Sequence, residues 1–316
     1  MLFASVTLAA LAVLLAWPVP VLLAKAHWPT RSPGIALLLW QAIAISGGLS
    51  MIGSLVTFGL IPFGGSLLQG LAQLPQLLAE GPLPAGTGLI HIFALSSAAL
   101  LAAHLVLNLI VTVTRTERQR RRHRSLVELL STPLPDRPGA PIHIIDSPAP
   151  VAYCLPGART VTVLSEGLVA LLDPPQLEAV IAHERAHLRQ QHHILLVAFQ
   201  SWRSSLPWFP IATRAQVAVS LLVEILADDQ SRRHTDAETL AGAIALVGSA
   251  ETNALTTNAT QFVESSAALA SERSAVSMRV DRLVHPEPQL PLAERVLILV
   301  AAAVLLAVPL VLLLAS

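Results

Sequence analysis

The sequence predicts a mainly α-helical integral membrane protein in which four transmembrane helices carry a cytoplasmic α+β domain. Three observations lead there. Of 316 residues, 53% are hydrophobic and 13% charged, with a mean hydropathy of +0.64, which excludes an ordinary soluble domain. Four stretches without Asp, Glu, Lys or Arg reach the roughly 20 residues needed to cross a bilayer. Between the last two of them lies a polar region of domain size, Arg115 to Arg295.

The first stretch runs from Leu2 to Leu23, the second from Ile35 to Leu60, the third from Leu89 to Val113 and the fourth from Val296 to Ala315. A signal peptide would carry its positive charge before the apolar run, whereas Lys25 and Arg31 follow the first one. The chain therefore divides into a three-helix membrane region over 1–114, a cytoplasmic domain over 115–293 and a last transmembrane helix over 294–316. Arg115, Arg118, Arg120, Arg121, Arg122 and Arg124 crowd the end of the third stretch, and the positive-inside rule places that end in the cytoplasm. The segment from Pro62 to Gly88, with Glu80 its lone charge, then lies outside, as do both termini. Topology accounts for the arginine run without a nucleic-acid patch or an anionic-lipid site. Lys+Arg and Asp+Glu balance at 20 each, so no net charge draws the chain to nucleic acid. A lone lysine among arginines, with abundant Ala and Leu, fits a GC-rich bacterial genome.

Within the polar region, Ala140–Leu164 is rich in Val, Ile and Thr and is interrupted by Pro148-Ala149-Pro150 and Pro156-Gly157, the pattern of a small sheet. Asp173-Pro174-Pro175-Gln176 supplies an N-cap, first-turn prolines and a capping-box Gln, so a helix should run from Pro174 to Gln191. Two further helices are expected around Ile194–Phe199 and Val217–Val223, joined by Leu206-Pro207-Trp208-Phe209-Pro210. Trp202, Trp208 and Phe209 suit either a bilayer interface or a core. Ala250–Ser277 has weak periodicity and no chemical signature. Cys154 stands alone, which excludes an internal disulfide and any cysteine-built metal site and leaves a packed free thiol as the default.

The expected 174–191 helix carries His183-Glu184-Arg185-Ala186-His187. Histidines at i and i+4 share a helical face, so both rings can reach one zinc ion. Glu184 is then the general base of a metal-assisted amide hydrolysis, because zinc brings the pKa of water to about 7. A third protein ligand is needed, and Glu224 is the best candidate: a lone acid in an apolar helical stretch is costly without a cation. A salt bridge to an arginine is its alternative role. Asp228, one turn on, can orient a ligand histidine, while Asp229 points about 100° away. His192 and His193 are weaker ligand candidates, being off the stacked face. His91, His104 and Asn108 belong to the third span and suit interhelical hydrogen bonding.

These residues, with Pro150–Gly157, Thr162–Leu168, Leu177–Leu188, Leu206–Pro210 and Glu224–Asp228 in this order, resemble the membrane-embedded zinc metallopeptidases that include the BlaR and MecR antirepressors, related more distantly to HtpX-type proteases. The resemblance covers about residues 140 to 235. It implies a zincin-like (gluzincin) domain with Zn2+ on His183, His187 and Glu224, Glu184 as base and Asp228 in support. It also implies an edge strand near Val151–Leu155 that holds substrate in extended form. The implied substrate is a winged-helix repressor of the BlaI type; a quality-control protease of membrane proteins and an idle transmembrane transducer are the alternatives, and self-association is compatible with each. The resemblance departs at one point. The antirepressors carry a penicillin-binding domain after the last span, and this sequence ends at Ser316. An S-x-x-K acylation site is also missing, since Leu22 stands three residues before Lys25.

Overall fold

The computed structural model describes residues 1–316 except 81–83, 134–141, 156–160, 206–209 and 259–263. The turns expected at Pro156-Gly157 and at Leu206–Phe209, with Trp208 and Phe209, lie outside the described residues. The chain divides into two compact units, Met1–Thr112 with Ala198–Val219 and Gln289–Ser316, and Val113–Val197 with Ser220–Pro288.

The first unit contains helices α1 (Leu2–Ala16), α2 (Pro18–Lys25), α3 (Trp28–Arg31), α4 (Pro33–Gly59), α5 (Leu67–Glu80), the first part of α6 (Leu89–Leu130) and α13 (Leu292–Leu314). Among the described residues, four helical segments are long and apolar enough to cross a membrane: Leu2–Lys25, Pro33–Gly59, Leu89–Val127 and Leu292–Leu314. The first departs from the expected single helix. Pro18 ends α1 at Trp17 and starts α2, because a proline lacks the N–H that an unbroken helix would need there. The third outruns its expected end, since Arg, Glu and Gln are good helix formers and α6 continues through the arginine run for 42 residues, about 63 Å.

Small and polar residues join these helices. Ser46 Oγ donates to Leu305 O (2.7 Å) and Ser5 Oγ to Ser54 O (2.9 Å). A Cβ at Gly59 would lie 2.5 Å from Leu95 Cγ, so glycine permits that close approach of α4 and α6. Leu67 N donates to Ser316 O (2.6 Å), which brings the start of α5 and the end of α13 together. Within the same unit, Asn108 Nδ2, with two hydrogens to donate, lies 2.7 Å from Ser201 O, 2.7 Å from Ser205 Oγ and 2.8 Å from Ser204 Oγ, and His104 Nε2 lies 3.1 Å from Ser205 O. Both residues thus make the interhelical bonds expected of them. His91 instead accepts locally from Gly88 N (3.2 Å) and stacks on Phe58.

The second unit is built on a four-stranded sheet of order β1-β2-β4-β3, from β1 (Thr132–Pro133), β2 (Ile142–Ile145), β3 (Ala152–Leu155) and β4 (Val161–Ser165). β2 and β4 pair in parallel and the outer pairs are antiparallel. Every residue of β4 is buried, as its central place demands, and β3 forms an edge. Ser165 ends β4 with its Oγ donating to Ala149 O (2.7 Å) and accepting from Val151 N (2.9 Å) and Leu168 N (3.1 Å), which caps α7 (Glu166–Leu171).

α8 (Pro174–Arg189) begins with the expected capping box: Asp173 Oδ1 accepts from Gln176 N (2.8 Å) and Gln176 Oε1 from Asp173 N (3.1 Å). Its Ile181 packs with Ile142, Leu164 and Leu168, and its Ala179 with Leu240, Ala241 and Leu283. α9 (His192–Ser205) and α10 (Pro210–Ser231) are the two helices expected next, and both contribute residues to both units. α11 (Ala237–Asn258) and α12 (Glu264–Val284) pack as a pair and take in the described residues of the stretch whose sequence carried no clear signal. Replacing the α8 cap, Asp173→Ala, is expected to destabilise the protein by about 1 kcal/mol while Asp173→Ser is nearly neutral, read from thermal unfolding of the detergent-solubilised chain.

Candidate metal centre

Three side chains converge in the second unit. His183 and His187, one turn apart on α8, face each other through Nε2 at 3.0 Å. Glu224, on α10, brings Oε2 to 3.3 Å from His183 Nε2 and Oε1 to 3.5 Å from His187 Nε2. Tetrahedral ligands at zinc bond lengths of about 2.0–2.1 Å stand roughly 3.4 Å apart, so these donor atoms have the separations of a zinc set. His183, His187 and Glu224 form a metal-capable group among the described residues. The chemistry fits as well: two imidazole nitrogens and one carboxylate suit zinc. The Glu224 side chain is 37% exposed, which leaves one side of the group open, as a catalytic centre requires.

Local folding explains the convergence. The capped α8 buries Ala179, Ile181 and Ala186, and the same register turns His183 inward. On α10, Leu222, Val223, Ile225 and Ala227 are fully packed, so the acid between them is left facing α8. Asp228, 2% exposed in its side chain, lies one turn beyond Glu224 with Oδ1 3.0 Å from His183 Nδ1. That approach is an ion-pair distance outside hydrogen-bond geometry. It favours hydrogen on Nδ1 and turns Nε2 toward the other two donors. Asp229 points elsewhere, as its spacing predicts, and is held by Arg282 (2.7 and 3.0 Å).

Sequence reasoning missed Arg279, on α12. Its guanidinium grips Asp228 through Nε and Nη2, both at 2.8 Å, and its Nη1 reaches Glu224 Oε2 at 3.0 Å. The arginine partner considered as an alternative for Glu224 is therefore present together with the histidines. The available signal was indirect: two acids one turn apart on an apolar helix demand a cation, but any of the 20 basic residues could supply it. His192 lies against His187, Nδ1 to Nδ1 at 2.9 Å, on the side away from the converging nitrogens. His193 does not join the group.

The environment separates the titrations. Burial disfavours charge on His183, but the Asp228 and Glu224 carboxylates outweigh it and raise the pKa to about 9 without a metal. Burial lowers His187 to about 4, helped by the neighbouring His183, His192 and Arg279. Burial opposes ionisation of Glu224, yet His183 and Arg279 hold it at about 2. Glu184 is pushed up to about 7 by burial, with the Glu224 charge adding and His183 and Arg279 opposing. A carboxyl that titrates near neutral pH beside a metal-capable group is suited to move a proton in both directions. Cys154, on β3, contacts Thr162 (3.3 Å) and is raised by burial, consistent with a packed thiol.

Removing Arg279 takes both guanidinium hydrogen bonds from the buried Asp228 and leaves only the His183 ring beside it. Arg279→Ala is expected to cost about 3–5 kcal/mol, read as a loss of thermal stability. Arg279→Lys, which keeps the charge and loses the fork, should recover only part of it.

Residues 115–267 match the profile of Peptidase family M48. No curated protein and no solved structure matches the chain. The matched segment contains α8 with His183, Glu184 and His187 and α10 with Glu224 and Asp228, while Arg279 lies beyond it. Residues 115–267 are thus similar to the peptidase domain of family M48, in a chain that also has helices long and apolar enough to span a membrane.

Proposed function

We propose that this protein is a membrane-embedded zinc endopeptidase with its active site on the cytoplasmic side of a bacterial inner membrane. The observation that carries this reading is the approach of His183, His187 and Glu224 to within 3.0–3.5 Å, with Glu184 beside them and tuned to about 7. His183 Nε2, His187 Nε2 and a Glu224 oxygen would hold Zn2+. When bound, the ion supplies Lewis acidity toward a peptide carbonyl and toward water. Asp228 keeps the His183 ring in the orientation that turns Nε2 inward, and Arg279 keeps Glu224 and Asp228 ionised. Glu184 accepts the proton of the attacking water and returns it to the leaving amine nitrogen. β3, an edge strand, offers unpaired backbone groups on which an extended substrate can be laid.

For the substrate, we favour a winged-helix repressor of the BlaI type, inactivated in response to an envelope or antibiotic stress. This rests on the resemblance of residues 140–235 to the antirepressors. Quality control of membrane proteins, in the manner of HtpX, is equally compatible with the M48 match.

Glu184→Ala is expected to abolish cleavage and keep zinc, and His187→Ala to lose both. Metal analysis showing zinc retained in His187→Ala would remove the ligand assignment. New protein termini in cells with the wild-type chain, compared with Glu184→Ala, decide the substrate class. Termini concentrated in a DNA-binding repressor support the antirepressor reading; termini spread over membrane proteins support quality control. Orientation is read by labelling in a Cys154→Ala background: Gln73→Cys should react with an impermeant external reagent and Arg122→Cys should not.

A further inference from the structure

The contact between His187 and His192 is used by none of the steps above. The two Nδ1 atoms stand 2.9 Å apart, with the rings edge to face at 5.0 Å between centroids. One hydrogen can be shared across that distance, so one ring donates and the other accepts. His192 is 2% exposed, and its Nε2 is buried without a partner among the described residues. The backbone is bent to make the contact. α8 ends at Arg189 and α9 starts at His192, and between them Gln191 has φ +50°, the left-handed region that a residue with a Cβ rarely occupies. That outlier folds the chain back so that a residue five beyond His187 meets it.

We infer that His192 is a positioning residue for the metal centre, accepting the Nδ1 hydrogen of His187 and so turning the His187 Nε2 lone pair toward the ion. The inference rests on the zinc reading of the site. If His192 donated instead, His187 would carry its hydrogen on Nε2, which faces His183 Nε2 at 3.0 Å, and could not ligate. Metal binding therefore selects the arrangement with hydrogen on His187 Nδ1 and on His192 Nε2. His192 does for His187 what Asp228 does for His183, with a neutral ring in place of a carboxylate. It is not a ligand to the same ion, because it meets His187 at Nδ1, across the ring from the donor atom.

The test measures zinc affinity of the full chain in detergent by competition with a chromogenic chelator, alongside thermal unfolding of the metal-free protein. His192→Phe keeps the ring and removes the acceptor; His192→Gln returns an acceptor oxygen. His192→Phe should weaken zinc binding about 10–100-fold, and His192→Gln should recover most of that loss, with metal-free unfolding of the two variants alike. Wild-type affinity in His192→Phe, or an equal loss in both variants, overturns the role of His192 and leaves the metal site standing. Wild-type protein that binds zinc no better than His187→Ala overturns both.

Discussion

The site depends on one buried carboxylate. Asp228 is charged, 2% exposed in its side chain, and touches a histidine of α8 and an arginine of α12 at the same time. A carboxylate in such surroundings costs several kcal/mol unless its oxygens are satisfied. Here both oxygens accept from the Arg279 fork, and the third arm of that arginine continues to Glu224. Three helices far apart in sequence are thereby held in one register. The position of His183 Nε2 is set by Asp228 and that of the Glu224 carboxylate by Arg279, so the donor atoms meet before any ion is considered.

The two histidines of the motif are supported in different ways. His183 sits between carboxylates that favour its charged form, and His187 is kept neutral chiefly by burial, with His183, His192 and Arg279 adding to it against the pull of Glu224. A cation held by the two rings would suit this asymmetry, because metal ligation requires both imidazoles to be unprotonated at the donor nitrogen. Glu184 escapes these pairings. It is half-buried, no arginine among the described residues grips it with a fork, and burial brings its pKa to about 7, which suits a group that must both take and give a proton.

In the first unit the same accounting of polar groups applies under stricter terms. Ser5, Ser46, His104 and Asn108 lie on apolar helices where unpaired donors are costly, and each finds a carbonyl or hydroxyl on another helix. The partners of His104 and Asn108 are Ser201, Ser204 and Ser205, at the end of α9. The end of α9 is thus bonded to a candidate membrane span.

Local rules made much of this legible in the sequence. The four apolar stretches, the capping box of α8, the shared face of His183 and His187, the isolation of Glu224 and Asp228 on an apolar helix and the divergence of Asp229 all follow from spacings of a few residues. Helical periodicity and burial cost decide such features within one element. The break at Trp17 was also written locally, in Pro18, but the continuous hydropathy of the stretch hid it. Arg279 and the role of His192 were not legible. Arg279 is 51 residues from Asp228, and nothing in its own neighbourhood tells it from the other arginines. His192 lies off the helical face of the ligands and reaches His187 only because Gln191 takes a left-handed turn that its residue type does not demand. The sequence by itself determined which groups can bind and move charge, because composition and periodicity act along the chain. Only the tertiary structure decided which buried charges and rings support them, because pairing in a low-dielectric interior depends on distances between elements that no local spacing encodes.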